Sequence, residues 1–306
     1  MDNSILIVTG HPRSGTSFTA SLLQNAGLHI GQKLMAPGHG NVRGFFENLD
    51  VVGFHEAVLR SRGIHHVGWT TEEDIPVEIV FEEKARELVA NHATIPLWGW
   101  KDPRTTLFLD FWAQLLPEAN FLFLYRAPWE VADSIYRRGD EMFVEEPELA
   151  LQIWISYNQK LLRFYDRFPE RCFIASVNNV SQESPAFIDA LNYKFNLSLV
   201  RPSADLYEQA LLHTQVSTSH HPNLINAYYP EVIKIYQKLN SRETQCGLAP
   251  EQTWKQKIQV NLDPAWALQD WIRTRRLERK VKSLQAELEK AQTEITNLNG
   301  SNIMSA

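Results

Sequence analysis

The stretch that decides the fold is VTGHPRSGTSF, residues 8–18. It follows a short apolar run, Ile5–Val8, and leads into a helical pattern, Thr16–Ala26. A strand, a turn bounded by Gly10 and Gly15, and a helix in that order make backbone N–H groups converge. The helix N-terminus adds partial positive charge at the same point, and the glycines permit an approach that side chains would block. In nucleotide triphosphatases a lysine follows the second glycine and bridges the outer phosphates. Here Thr16 stands in that place and Arg13 lies inside the loop. The loop is therefore expected to bind an anion, with a planar guanidinium suited to paired oxygen contacts as its cation. The ligand implied carries fewer phosphate charges than a triphosphate and requires no metal.

Working outward, the apolar runs Ile5–Val8, Leu97–Trp100, Phe121–Tyr125 and Cys172–Ser176 read as buried strands. Helical patterns cover Thr16–Ala26, Leu49–Arg62, Ile79–His92, Pro128–Arg138 and Glu148–Phe168. Strands alternating with helices imply an α/β domain with a mostly parallel sheet. Beyond about residue 197 the pattern weakens into a turn-rich stretch ending in histidines. The tail is different. Leu277, Val281, Leu284, Leu288, Ala291, Ile295 and Leu298 alternate steps of four and three, a heptad stripe. It reads as a coiled coil joining two copies or a partner, or as one amphipathic helix folded back on its own domain.

Three more segments carry chemistry. FLFLYRAPWEVADS ends a strand at Arg126, where open α/β sheets bind ligands, and places Ser134 two helical turns on. Arg126 either shares an oxyanion with Ser134 or pairs with a structural acid such as Glu130 or Asp133. NVRGFFENLD sets Glu47 after two phenylalanines and before a helix, as a general base or as a carboxylate serving the helix dipole. WGWKDPRTT brings Lys101 to a strand end, followed by Asp102 and Arg104. His55 and His29 are lesser candidates for the base.

GHPRSGTS resembles the 5′-phosphosulfate loop of sulfotransferases that use 3′-phosphoadenosine 5′-phosphosulfate (PAPS). LYRAPWEVADS is similar to their 3′-phosphate site, with Arg126 and Ser134 at the family's spacing. The resemblance covers roughly residues 4–195, and bacterial and tyrosylprotein-type members are the most similar. It implies a P-loop-like α/β fold and sulfuryl transfer to a hydroxyl or amine, with no metal. By the same likeness Arg13, Ser14, Gly15, Thr16 and Ser17 would hold the 5′-phosphate, with Arg13 facing the sulfuryl. Arg126 and Ser134 would hold the 3′-phosphate, Glu47 would be the base, and Lys101 would neutralise the sulfuryl or bridging oxygen. A small molecule, a carbohydrate, a peptide tyrosine and a lipid are all open as the acceptor. Two features depart from the family. The C-terminal RKG segment of many cytosolic members is missing, and Val177-Asn178-Asn179-Val180 stands where YEDL is usual. His213–His221 is a candidate to complete the nucleotide site.

The expected organisation is a sulfotransferase-like α/β domain over 1–260, a long helix over 265–298 and a disordered tail over 299–306. An ATP-dependent kinase with a degenerate loop, using Asp102 to hold Mg²⁺, is the rival enzyme. A non-catalytic coiled-coil scaffold is the rival of a different class. The bulk composition fits all three. The 306 residues are 44% hydrophobic, enough for one large core and an appendage. A net charge of -6 argues against nucleic acid as partner. The two cysteines fit a reducing compartment, and no run is long enough for a membrane span. The cytoplasm is the expected location. The adjacent histidine pairs, His65-His66 and His220-His221, lack the ligand spacing of a metal site.

Overall fold

The computed structural model describes residues 3–38, 44–92, 94–201, 220–249 and 265–303. They fall into two compact units, Met1–Ile258 and Gln259–Ala306.

The first unit is built on a parallel sheet. Its strands are β1 (Ser4–Gly10), β2 (Leu97–Lys101), β3 (Asn120–Tyr125) and β4 (Cys172–Ser176), in the order β2-β1-β3-β4. Each strand is almost wholly buried, which is why each reads as a continuous apolar run. The register aligns Val8 with both Lys101 and Leu122, and Tyr125 with Ser176. The carboxyl ends of all four strands therefore lie along one edge. The chain leaves β1 toward β2 on one side and returns to β3 on the other, so the strand order reverses between β1 and β3. Ligands of open α/β sheets bind at such a reversal.

Helices cover the sheet. They are α1 (Thr16–Asn25), α2 (Leu49–Ser61), α3 (Ile79–Ala90), α4 (Leu109–Leu115), α5 (Pro128–Arg138), α6 (Glu141–Glu145), α7 (Leu149–Arg167), α8 (Val177–Gln182), α9 (Ser184–Phe195), α10 (His221–Tyr228) and α11 (Pro230–Gln245). On one face Phe121 and Phe123 meet Phe164 of α7, and Cys246, just past α11, accepts the Ile174 amide. On the other, Phe173 stands edge-on to Phe187 of α9. Trp69, Trp98 and Trp100 are core side chains.

The five expected helices form with ends shifted by no more than two residues. The region past residue 197 differs from its sequence reading. Helix α11 buries Val232, Ile235, Tyr236, Leu239 and Glu243 against the sheet side. Its apolar face is interrupted by a charged residue, which hides its periodicity. Of the histidine-rich stretch His213–His221, residues 213–219 lie outside the described residues.

The second unit contains one long helix, α12 (Ala265–Ile303). It spans the expected 265–298 and continues to Ile303. Residues 304–306, the end of the expected tail, lie outside the described residues. Among the described residues no helix is long and apolar enough to cross a membrane.

Candidate active site

At the carboxyl edge the loop after β1 fits against two neighbouring segments. A Cβ on Gly10 would collide with the Leu124 carbonyl of β3, and one on Gly15 with the Val177 side chain of α8. Gly15 has φ 81°, in the left-handed region that glycine adopts freely. Arg13 has φ 72° and bears the cost that a side chain imposes there, of order 1 kcal/mol. The Ser14 amide donates to the His11 carbonyl at 3.1 Å, closing the turn. No side chain caps α1, and its first turn holds no acid, so no carboxylate cancels the positive end of the helix. The Ser14 hydroxyl is fully buried without a hydrogen-bond partner among the described residues. Orphaned donors around a cradle closed to any side chain are what a bound anion satisfies.

Two of the expected segments touch directly. Arg13 Nε donates to Ser134 Oγ at 3.0 Å, across 121 residues of sequence. Burial lowers the Arg13 pKa, and the nearby guanidiniums of Arg138, Arg126 and Arg137 lower it further. Positive charge thus gathers beside the loop, with Asp140 as the opposing acid. Arg126 Nε donates to Glu130 Oε2 at 2.8 Å, the structural pairing considered from sequence, while it stays within electrostatic reach of Arg13.

On the β2 side, Glu47 is the centre. Its Oε1 accepts from Lys101 Nζ at 2.7 Å and its Oε2 from Arg104 Nη2 at 2.7 Å. Lys101 Nζ also donates to Ser17 Oγ at 3.2 Å, tying this cluster to the start of α1 beside the glycine-bounded loop. Ser17 in turn donates to the Phe45 carbonyl at 3.0 Å. The residue before Glu47, Phe46, has φ 54°. The segment that presents the carboxylate is therefore held in a sparsely populated backbone region. Burial pushes the Lys101 ammonium below the ordinary lysine range, with Glu47 pulling the other way.

Behind these groups lies a network that sequence reading only touched. Arg104 Nε donates to Asp102 Oδ1 at 2.8 Å, and His55 Nδ1 lies 2.9 Å from Asp102 Oδ2. Trp112 Nε1 donates to His55 Nε2 at 2.9 Å, so the neutral ring carries its proton on Nδ1 and donates it to Asp102. Burial, the largest cause, keeps the His55 pKa low. Burial also works to raise the Asp102 pKa, but Arg104 and His55 together hold it well below the usual carboxylate range. His55 is thus spent on both nitrogens and is not placed to act as a base. His29 pairs by a backbone bridge with Trp98 near the amino end of β2, away from the site edge. Asp102, which a kinase would need for Mg²⁺, is fully buried and engaged on both oxygens. Among the described residues no cluster of three His, Cys, Asp or Glu could hold a metal ion.

Two residues escaped the sequence reading. His11, inside the loop, is packed against Tyr157 and Trp69 at ring separations of 5.2 and 6.0 Å. Its Nδ1 meets the Pro12 carbonyl, and burial pushes its pKa down to about 3. Its place in a Gly-His-Pro-Arg run was the available signal. Glu243 of α11 accepts from Tyr125 Oη and from the Ser176 amide, both at 2.6 Å. It fastens the ends of β3 and β4, beside Val177–Val180, where the acid of YEDL is missing. Nothing local marks a helix carboxylate so far along the chain.

A family model described as "Sulfotransferase family" matches residues 6–176. Solved structures with a similar arrangement include a sulfotransferase from Mycobacterium tuberculosis, at 12% identity over 79% of this chain and 77% of that chain, TM-score 0.49. Another, from Alicyclobacillus acidocaldarius, shows 14% identity over 83% of this chain and 99% of that chain, TM-score 0.46. The sulfotransferase domain of the Synechococcus olefin synthase shows 15% identity over 87% and 86%, TM-score 0.41. No curated protein matches the sequence significantly.

Proposed function

This chain belongs to the sulfotransferase family, and from that membership we propose that it moves a sulfuryl group from PAPS to a hydroxyl or amine acceptor. The observation that carries the reading is the contact between Arg13 and Ser134. It brings the phosphate loop and the segment after β3 to a single cationic site, which suits an anion with charge at two separated points.

PAPS supplies a sulfuryl group already activated on a phosphate leaving group. In this reading the backbone N–H groups of Arg13, Gly15, Thr16 and Ser17 hold the 5′-phosphate, and the Ser14 hydroxyl gains the partner it lacks. Arg126 and Ser134 serve the 3′-phosphate. Glu47 takes the proton of the acceptor hydroxyl as its oxygen bonds to sulfur. Lys101 and Arg13 neutralise the charge that grows on the bridging oxygen as the old sulfur–oxygen bond breaks. Positioning and charge stabilisation supply most of the rate in such transfers. Lys101 suits this role because its contacts with Glu47 and Ser17 already join the base to the phosphate loop. The acceptor chemistry, a carbohydrate, a peptide or a small molecule, is open to screening with labelled PAPS.

The test is thermal stabilisation by 3′,5′-ADP in EDTA against ATP with Mg²⁺. A nucleotide at a hundred times its Kd adds roughly 2.7 kcal/mol to the folded state. Stabilisation by 3′,5′-ADP without metal is expected. A response only to ATP with Mg²⁺ would favour a kinase, and silence to both a scaffold.

A further inference from the structure

We infer that α12 pairs in antiparallel fashion with the same helix of a second copy of this chain. The stripe along α12 has Val281, Leu288 and Ile295 at one core position of the heptad and Leu277, Leu284 and Ala291 at the other. Of these, Leu277, Val281, Leu284, Leu288 and Ile295 are each more than half exposed. A surface helix that leaves such a row in water lacks the partner its pattern is built for.

Charge then decides the direction. The N-terminal half carries Arg273, Arg275, Arg276, Arg279, Lys280 and Lys282 against two acids, Asp270 and Glu278. The sequence after Lys282 carries Glu287, Glu289 and Glu294 against Lys290. A parallel pair would lay the basic halves side by side. The flanking positions that meet in that arrangement are Arg273 with Glu278 of the partner subunit, an ion pair before the start of the stripe, then Lys280 with Gln285 of the partner subunit and Glu287 with Gln292 of the partner subunit, neither of them an ion pair. An antiparallel pair sets each basic half on the other's acidic half. With Val281 opposite Leu284 of the partner subunit, and Leu277 opposite Leu288 of the partner subunit, Lys280 comes to flank Glu287 of the partner subunit, twice by symmetry. Such an isologous contact closes at two copies.

Sedimentation equilibrium of the full chain at low salt, from about 1 to 100 µM, tests this. A dimer is expected, weakening as salt is raised. Lys280→Glu alone and Glu287→Lys alone should each weaken it about tenfold, because two attractive pairs become repulsive. The double variant should return to within a few-fold of the natural chain. Both changes sit on exposed helix surface, so folding is preserved in all three variants. A monomer throughout overturns the proposal, as does a trimer. A dimer indifferent to both single reversals overturns the antiparallel arrangement. A monomer whose melting temperature falls on Leu284→Glu shows the stripe covered within one chain, and overturns it too.

Discussion

Glu47 holds two cations with one carboxylate, and each cation has a second attachment, Lys101 on Ser17 and Arg104 on Asp102. The proposed base is thus fixed from two directions. Lys101→Ala and Arg13→Ala are expected to lower turnover about 10²- to 10³-fold, the usual cost of losing one stabiliser of developing negative charge. Labelled-PAPS turnover, with melting curves to show intact folding, checks both. Because burial lowers the Lys101 pKa, kcat/KM should fall on the alkaline side at a pH below the ordinary lysine value of about 10.4. Lys101→Arg should move that limb upward, since a guanidinium keeps its proton. An unmoved limb would remove Lys101 from the proton balance. Asp102→Asn should be felt in folding instead, by about 1.5–3 kcal/mol, because Arg104 and His55 lose a charged acceptor while Glu47 still pairs Arg104. The folded pKa of Asp102 lies below its unfolded value. Its contribution is therefore complete above about pH 4 and is lost as pH falls from there. Denaturant titrations should show a shallower acid decline in the variant. Only part of this was legible in the sequence. Lys101, Arg104 and Asp102 announce themselves as one strand-end cluster. The bond from His55 to Asp102 joins residues 47 apart, on a helix and a strand end, and no spacing rule encodes it.

The strand-loop-helix corner from Ser4 to Asn25 is the element on which the proposed binding depends, and it was the most readable. Gly10, Gly15 and a hydroxyl pair at a helix start leave few other structures open. The reason for each glycine was not readable, because it lies in Leu124 and Val177, which are distant in sequence. Gly15→Ala should force a Cβ into Val177 while holding a left-handed backbone, at about 1–2 kcal/mol for the backbone alone. Loss of the 3′,5′-ADP stabilisation is expected beyond that cost, measured as the difference in melting temperature with and without nucleotide. If the variant binds as the natural chain does, the loop is not the cradle. Short helices such as α6 and α8 were invisible to periodicity, since one turn and a half cannot display it. Helix α11 was hidden for another reason. The Glu243 carboxylate that holds the strand ends breaks the apolar face it belongs to.

Over the whole molecule the two units divide near residue 258. A chain ending at Ile258 should melt cooperatively and keep its 3′,5′-ADP response, because loop, sheet edge and Glu47 cluster all precede that point. A shortened chain that fails to fold would show that the boundary is misplaced. Along the sheet edge the labour is divided by strand. β1 and β3 lead into the loop and the arginine-serine pair, while β2 and the segment before α2 supply Lys101, Arg104 and Glu47. A reversal of strand order between β1 and β3 thus leaves β2 on one flank, with α2 and α3 connecting to it. Exchanges on the exposed side of the segment before α2 and of α2 itself can therefore reshape what approaches Glu47, provided that His55 and Trp69 keep their contacts with Asp102 and His11. On the proposed reading, one scaffold would in this way retain its donor and change its clientele.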